Sequence, residues 1–172
     1  MPNEHGSGAP LPSYSDAYLK RILTETKTIA AVGVSRNEIR PSHYVARYLK
    51  TKGFTVIPVN PTQAGETVFG ETILSEMSEI PADRDPIDMV DVFRNSEAAG
   101  QVVDDALEAL LERGLRTIWM QIGVINHEAA ARAEAKGVQV VMNRCPKIEY
   151  QRLFGELRIG GFNTGQISSR LR

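Results

Sequence analysis

A glycine, two serines and two arginines fall within ten residues, Gly33-Val34-Ser35-Arg36-Asn37-Glu38-Ile39-Arg40-Pro41-Ser42. This combination suits a phosphate. A glycine lets the backbone turn sharply, Ser35 offers a hydroxyl, and a helix opening near Pro41-Ser42 presents unbonded amides to an anion. Arg36 and Arg40 would neutralise it. The alternative is a helix-capping loop with two solvated arginines. The stretch is not the dinucleotide fingerprint, because Ser35 and Glu38 stand where G-x-G-x-x-G needs its second and third glycines. At the end of the next apolar run the sequence offers Asn60-Pro61, where a nicotinamide dinucleotide site wants an acid for the ribose hydroxyls.

Other reactive side chains are scattered. Phe93 suits an adenine face and Arg94 a phosphate, or Phe93 is core and Arg94 a solvated helix start. Met120-Gln121-Ile122-Gly123 ends another apolar run, and a glycine there permits close approach of a ligand or of another backbone. The histidines, His5, His43 and His127, have no metal-ligand spacing and no evident Ser or Cys partner. His43 is expected as a solvated histidine at a helix start, with ligand contact as the alternative. Cys145, the single thiol, is expected as a buried structural residue. The sharper alternative is a mixed disulfide with a thiol ligand at the same sheet edge. Asp88 and Asp91 lie three apart in a strand, so they point to opposite faces and cannot act as a pair. Asp91 lies nearer the ligand end, either bonding a ligand or anchoring a loop. No catalytic constellation emerges, which weighs against an enzyme.

These residues need a scaffold that brings run ends together. Five short apolar, β-branched runs, 28–34, 54–59, 87–93, 115–121 and 138–143, read as strands covered on both faces. Helical stripes separate most of them: Val45, Tyr48 and Leu49, then Val103, Leu107, Leu110 and Leu111, then the Ala-rich 126–136 with Asn126 as N-cap. Lys52-Gly53, Arg113-Gly114 and Lys136-Gly137 each place a cation at a helix C-terminus and a glycine just past it. Another amphipathic helix is expected over 14–26. Only the crossover 62–86 is irregular, with a short helix expected near 73–77. The pattern predicts a doubly wound α/β sheet of about five parallel strands, helices on both faces, ordered 3-2-1-4-5. Ligands of such sheets bind where the strands end at their carboxyl termini.

Composition narrows the partners. The 172 residues carry 20 basic and 21 acidic side chains, which gives no electrostatic case for nucleic acid or an acidic membrane. One cysteine makes no internal disulfide, no apolar run approaches the ~20 residues of a membrane span, and the polar start resembles no secretory signal. A cytoplasmic protein is expected, with residues 1–13 as a disordered leader, 14–154 as the domain and 155–172 as a glycine-rich tail. The sequence does not give the oligomeric state, and a homodimer is considered on base rates alone.

The motifs VGVSRNEIRPSHYVARYL (32–49), VIPVNPTQAGETVFGE (56–71), DMVDVFRNSE (88–97), TIWMQIGV (117–124) and VMNRCPKIEYQRL (141–153) occur in order. Together they resemble the small CoA-binding protein family, single-domain relatives of the nucleotide-binding domain of the succinyl-CoA synthetase α subunit. The resemblance implies a Rossmann-type fold that binds coenzyme A. The loop Gly33 to Arg36 would hold its phosphates, and Val59, Asn60 and Pro61 would line the adenosine side. Phe93 and Arg94 would flank the ligand, and Met120 to Ile122 would line the pantetheine end. Gly123 and 143–146 match the synthetase pattern less fully. The synthetase's catalytic histidine belongs to a second domain, so its ligase activity does not carry over. A CoA or acyl-CoA carrier or sensor is therefore expected. The alternatives are an NAD(P)-binding redox sensor or oxidoreductase, and the nucleotide-binding subunit of an acyl-CoA ligase or transferase.

Overall fold

The computed structural model describes residues 10–156, so the leader through residue 9 and the tail from 157 lie outside the described residues. Within them, α1 (Asp16–Glu25) leads into β1 (Thr28–Val32), α2 (Pro41–Thr51) and β2 (Thr55–Val59). After a long irregular segment come β3 (Met89–Val92), α3 (Ser96–Leu110), β4 (Thr117–Met120), α4 (His127–Ala135), β5 (Gln139–Val141) and α5 (Pro146–Leu153). The five strands form one parallel sheet. Each strand interior is buried on both faces, which explains the unbroken apolar runs. One core, with Val90, Ile118 and Met120, lies under α3 and α4. The other, with Ile29, Met89 and Trp119, lies under α1, α2 and α5. Gly53, Gly114 and Gly137 all take the left-handed conformation expected of helix-ending glycines.

The strand order is β2-β1-β3-β4-β5, not the expected 3-2-1-4-5. Two features explain the difference. Pro58 has no N–H to give, and among the described residues the one partner on its side of β2 is an isolated bridge at Leu74. There the Leu74 amide donates to the Pro58 carbonyl at 3.0 Å and the Asn60 amide to the Leu74 carbonyl at 2.8 Å. A proline so placed belongs to an edge strand, so no full strand can lie beyond β2. The segment after β2 then wraps around that edge. It forms a two-residue antiparallel ladder between Thr67–Val68 and Glu71–Thr72, followed by 3-10 turns at Met77–Glu79 and Ala82–Arg84. No helix forms at 73–77, because Ile73 enters the α2-side core and Met77 the α3-side core. One helix face cannot serve both.

The opposite edge is covered by α1. The Tyr18 hydroxyl donates to the Val140 carbonyl at 3.5 Å, and the Met142 amide donates to the Tyr14 hydroxyl at 2.8 Å. The two rings stack with centroids 5.8 Å apart. Two tyrosines thus satisfy outward backbone groups that would otherwise invite another strand.

For the site, the register matters most. Val32 pairs with Val59 on one side and Val92 on the other, and Val92 pairs with Met120. Four strands therefore end level. From β1 the chain goes to β2 through α2 on one face. It reaches β3, on the other side of β1, by the long crossover, and α3 then covers the opposite face. The reversal opens a crevice between β1 and β3.

Candidate functional site

The crevice is walled by the loop after β1. Gly33 has φ +97°, and a Cβ added there would lie 2.9 Å from the Phe93 carbonyl oxygen and 3.3 Å from Arg94 Nε. Only glycine allows the turn and this approach together. Because β3 adjoins β1, Phe93 and Arg94 border the loop directly.

The rest of the loop is held by side chains of neighbouring turns. Asn60 Nδ2 donates to the Val34 carbonyl at 2.9 Å, and the Arg36 amide donates to Gln63 Oε1 at 2.9 Å. The Ser35 amide donates to Ser42 Oγ at 3.0 Å, and the Asn37 amide to Ser35 Oγ at 3.0 Å. His43 is buried rather than solvated. Its Nδ1–H donates to the Ser35 carbonyl at 2.9 Å and its ring packs 4.8 Å from Phe69. The hairpin that supplies Phe69 lies in the segment with no periodic pattern, so sequence spacing could not show this burial.

Asn60 is fully engaged. Besides its bond to Val34, its Oδ1 accepts from the Thr62 amide, the Thr62 hydroxyl and Arg94 Nη2, at 3.1, 2.8 and 3.2 Å. It works as a knot joining the ends of β1, β2 and β3. The loop's geometry is thus fixed without a ligand, the condition for binding without an ordering cost. Helix α2 starts at Pro41 with no side-chain cap, whereas Asn95 and Asn126 cap α3 and α4. At that terminus Pro41 has no N–H, and the His43 and Tyr44 amides turn back to the Arg40 carbonyl at 2.9 and 3.2 Å. Arg36, about half exposed, lies 3.5 Å from an equally exposed Glu66, a pairing too weak to hold it from an anion.

A cleft of about 640 Å³ opens on the α3 side of this loop. Val32, Val59, Pro61 and Arg94 line it from the strand ends, Ser75 to Ser78 from the crossover, and Val102, Asp105, Glu108 and Ala109 from α3. Glu76, Asp105 and Glu108 are exposed, so the rim is acidic over an apolar floor. Of the residues singled out in the sequence, Val59, Pro61 and Arg94 meet here. The contributions of 75–78 and of α3 carried no sequence signal, since Val102 reads as ordinary helix core.

The end of β4 divides its residues. Met120 is wholly buried in the α3-side core, and only Ile122 and Gly123 reach the surface. Gln121 is buried, and its Nε2 donates to both carboxylate oxygens of Asp91 at 2.8 and 3.1 Å. Asp91 has no exposure, and burial pushes its carboxyl up from 3.8 to about 7. Cys145 is buried at the start of α5, and burial likewise raises its thiol. A raised thiol is a poor nucleophile, which agrees with a structural cysteine. Trp119 is core, its Nε1 donating to the Arg144 carbonyl at 2.9 Å. Among the described residues no group of three His, Cys, Asp or Glu side chains is placed to hold a metal, and no helix is long and apolar enough to cross a membrane.

The fold is a doubly wound α/β domain with a rigid loop after β1 and an adjoining cleft. The family model described as "CoA binding domain" matches residues 27–151, and the chain belongs to that family. It is 37% identical over 136 residues to an uncharacterized protein, YneT, of Bacillus subtilis, covering 79% of this chain and 94% of the relative. Among solved structures, a Thermus thermophilus protein described as cell-free ID.343 is 35% identical, with a TM-score of 0.74. That match covers 82% of this chain and all of the other. A hypothetical protein from Pyrococcus horikoshii OT3 is 32% identical, with a TM-score of 0.74, over 87% of this chain and 99% of the other.

Proposed function

We propose that this protein binds coenzyme A or an acyl-CoA and holds it without transforming it, as a carrier or sensor. The observation that carries the reading is the loop from Gly33 to Ser42, tied in place beside an uncapped helix and an open cleft, in a chain of the CoA-binding family. The residues suit the ligand. Arg36 and Arg40 stand where phosphates would meet the α2 N-terminus. The cleft, acidic at its rim and apolar at its floor, suits the uncharged adenine ring better than a phosphate. The pantetheine arm would run along the strand ends toward Gln121 and Ile122. Cys145, the described residues' one thiol, is buried with its pKa raised, which speaks for holding rather than chemistry.

Calorimetric titration with CoA, dephospho-CoA, NAD and NADP tests this reading. CoA should bind and the nicotinamide dinucleotides should not. Arg36→Ala and Arg40→Ala should each weaken CoA by about 1–3 kcal/mol, the range for hydrogen bonds to charged groups. Tight NAD binding without CoA binding would overturn the proposal. A small molecule that stays with the purified protein, identified by mass spectrometry, would name the species held.

A further inference from the structure

Exposed large apolar side chains are unevenly placed. Ile39, Tyr44, Ile122 and Ile148 are 81%, 37%, 60% and 49% exposed. Each lies between the carboxyl end of a strand and the first turn of the helix that follows. Of the described residues only Leu11 joins them in the exposed set. Ile39 belongs to the phosphate loop. The other three come from segments joined side by side. The Gly123 amide donates to Asn143 Oδ1 at 2.8 Å and the Arg144 amide to the Met120 carbonyl at 3.3 Å. These bonds stitch the loop of Ile122 to the one leading into α5. The Lys147 ammonium then lies 5.3 Å from the Tyr44 ring and 5.5 Å from the Tyr48 ring, tying the first turn of α5 to α2.

Helix-start and strand-end loops are ordinarily polar, and apolar side chains gathered at one rim mark a contact site. A protein partner is a poor fit, since a stable interface buries about 800 Å² per side and three partly exposed side chains offer far less. A hydrocarbon chain needs only such a narrow strip. We propose that Ile122, Ile148 and Tyr44 form a rail for the acyl chain of a bound thioester, so that the ligand is a medium- or long-chain acyl-CoA rather than free CoA. This rests on the CoA reading above, which brings the thiol end to Gln121 and Ile122, and therefore starts the acyl chain at the first of the three side chains.

The test is the affinity of the full chain for CoA, acetyl-CoA, butyryl-CoA and octanoyl-CoA, with Ile148→Asn alongside. Half-burying each methylene should strengthen binding about twofold, or on the order of 50-fold from acetyl to octanoyl. Ile148 is exposed and outside the phosphate loop and cleft, so Ile148→Asn should flatten that slope while leaving acetyl-CoA within about twofold. Equal affinity for every thioester and free CoA would overturn the rail but leave CoA binding intact. A slope unchanged in Ile148→Asn would overturn it too. So would a flat slope with a wild-type dimer that Ile148→Asn splits, which would make the rim a self-association face. No binding of CoA or any thioester would instead sink the reading beneath it.

Discussion

The two ends of the sheet treat a buried aspartate in opposite ways. At the amino end, Asp88 accepts from the Lys27 amide, the Thr28 amide and Arg116 Nη2, each at 2.9 Å. Arg116 also donates to the Glu25 carbonyl, and Arg113 holds Asp85 and the Pro81 carbonyl. Every strong group there is answered by the chain itself. At the carboxyl end, Asp91 is more deeply buried and has one neutral partner, Gln121. At the same end of the sheet lie an uncapped helix, a half-exposed arginine and exposed isoleucines. One end is finished by folding, and the other keeps capacity for something the chain does not supply. Binding sites are drawn from the second kind of surface, where local stability has been given up.

The largest effect should come from removing the unanswered charge. The Asp91 carboxyl is raised from 3.8 to about 7, so between those values the folded protein keeps a proton that the unfolded chain has released. Stability must then fall as pH rises through that window, with the penalty absent below pH 4 and complete above pH 7. Asp91→Asn keeps an acceptor for Gln121 and abolishes the penalty. Urea unfolding at pH 8 should show the variant more stable by up to about 4 kcal/mol, and at pH 4 the two proteins should nearly coincide. Parallel profiles across the range would mean that Asp91 is better solvated than its geometry implies.

Asp88 should behave in the reverse sense. Asp88→Ala strands two amides at the start of β1 and releases Arg116, at a cost of about 3 kcal/mol. CoA affinity should stay unchanged, because the carboxylate lies at the far end of the sheet. A drop in affinity beyond the loss of folded protein would erase the separation between the two ends.

Much of this contrast was legible in the sequence, and the remainder was not, for a physical reason. Strands buried on two faces must be apolar throughout, so β1 to β5 stood out. Asn126 and the basic-glycine helix ends did so because capping is local. Pro58 marks β2 as an edge strand, but the alternation of strands and helices alone does not say on which side of β1 the next strand lies. The role of Asn60, the burial of His43 and the cover of β5 by Tyr14 and Tyr18 depend on partners 8 to 128 residues away. No spacing rule reaches across such distances. The same holds for the cleft, two thirds of whose lining comes from a crossover without periodicity and from a helix face that reads as core.

Two glycines at the carboxyl end give the finest comparison. Gly33 and Gly123 both follow strands and both have positive φ, +97° and +83°. Their surroundings differ: a Cβ at Gly33 meets the Phe93 carbonyl at 2.9 Å, whereas one at Gly123 meets nothing within 4 Å. Gly123→Ala should therefore cost only the strain of a left-handed alanine, about 1 kcal/mol. Gly33→Ala should cost that strain and a displacement of the Phe93–Arg94 backbone as well, about 2 kcal/mol or more. Because that backbone forms the wall between loop and cleft, Gly33→Ala should also weaken CoA at least tenfold in the fraction that folds, while Gly123→Ala leaves it within about threefold. Thermal unfolding paired with calorimetry on both variants separates strain from site geometry. If the two lose affinity equally, the conformation of each glycine matters and the close approach at Gly33 does not.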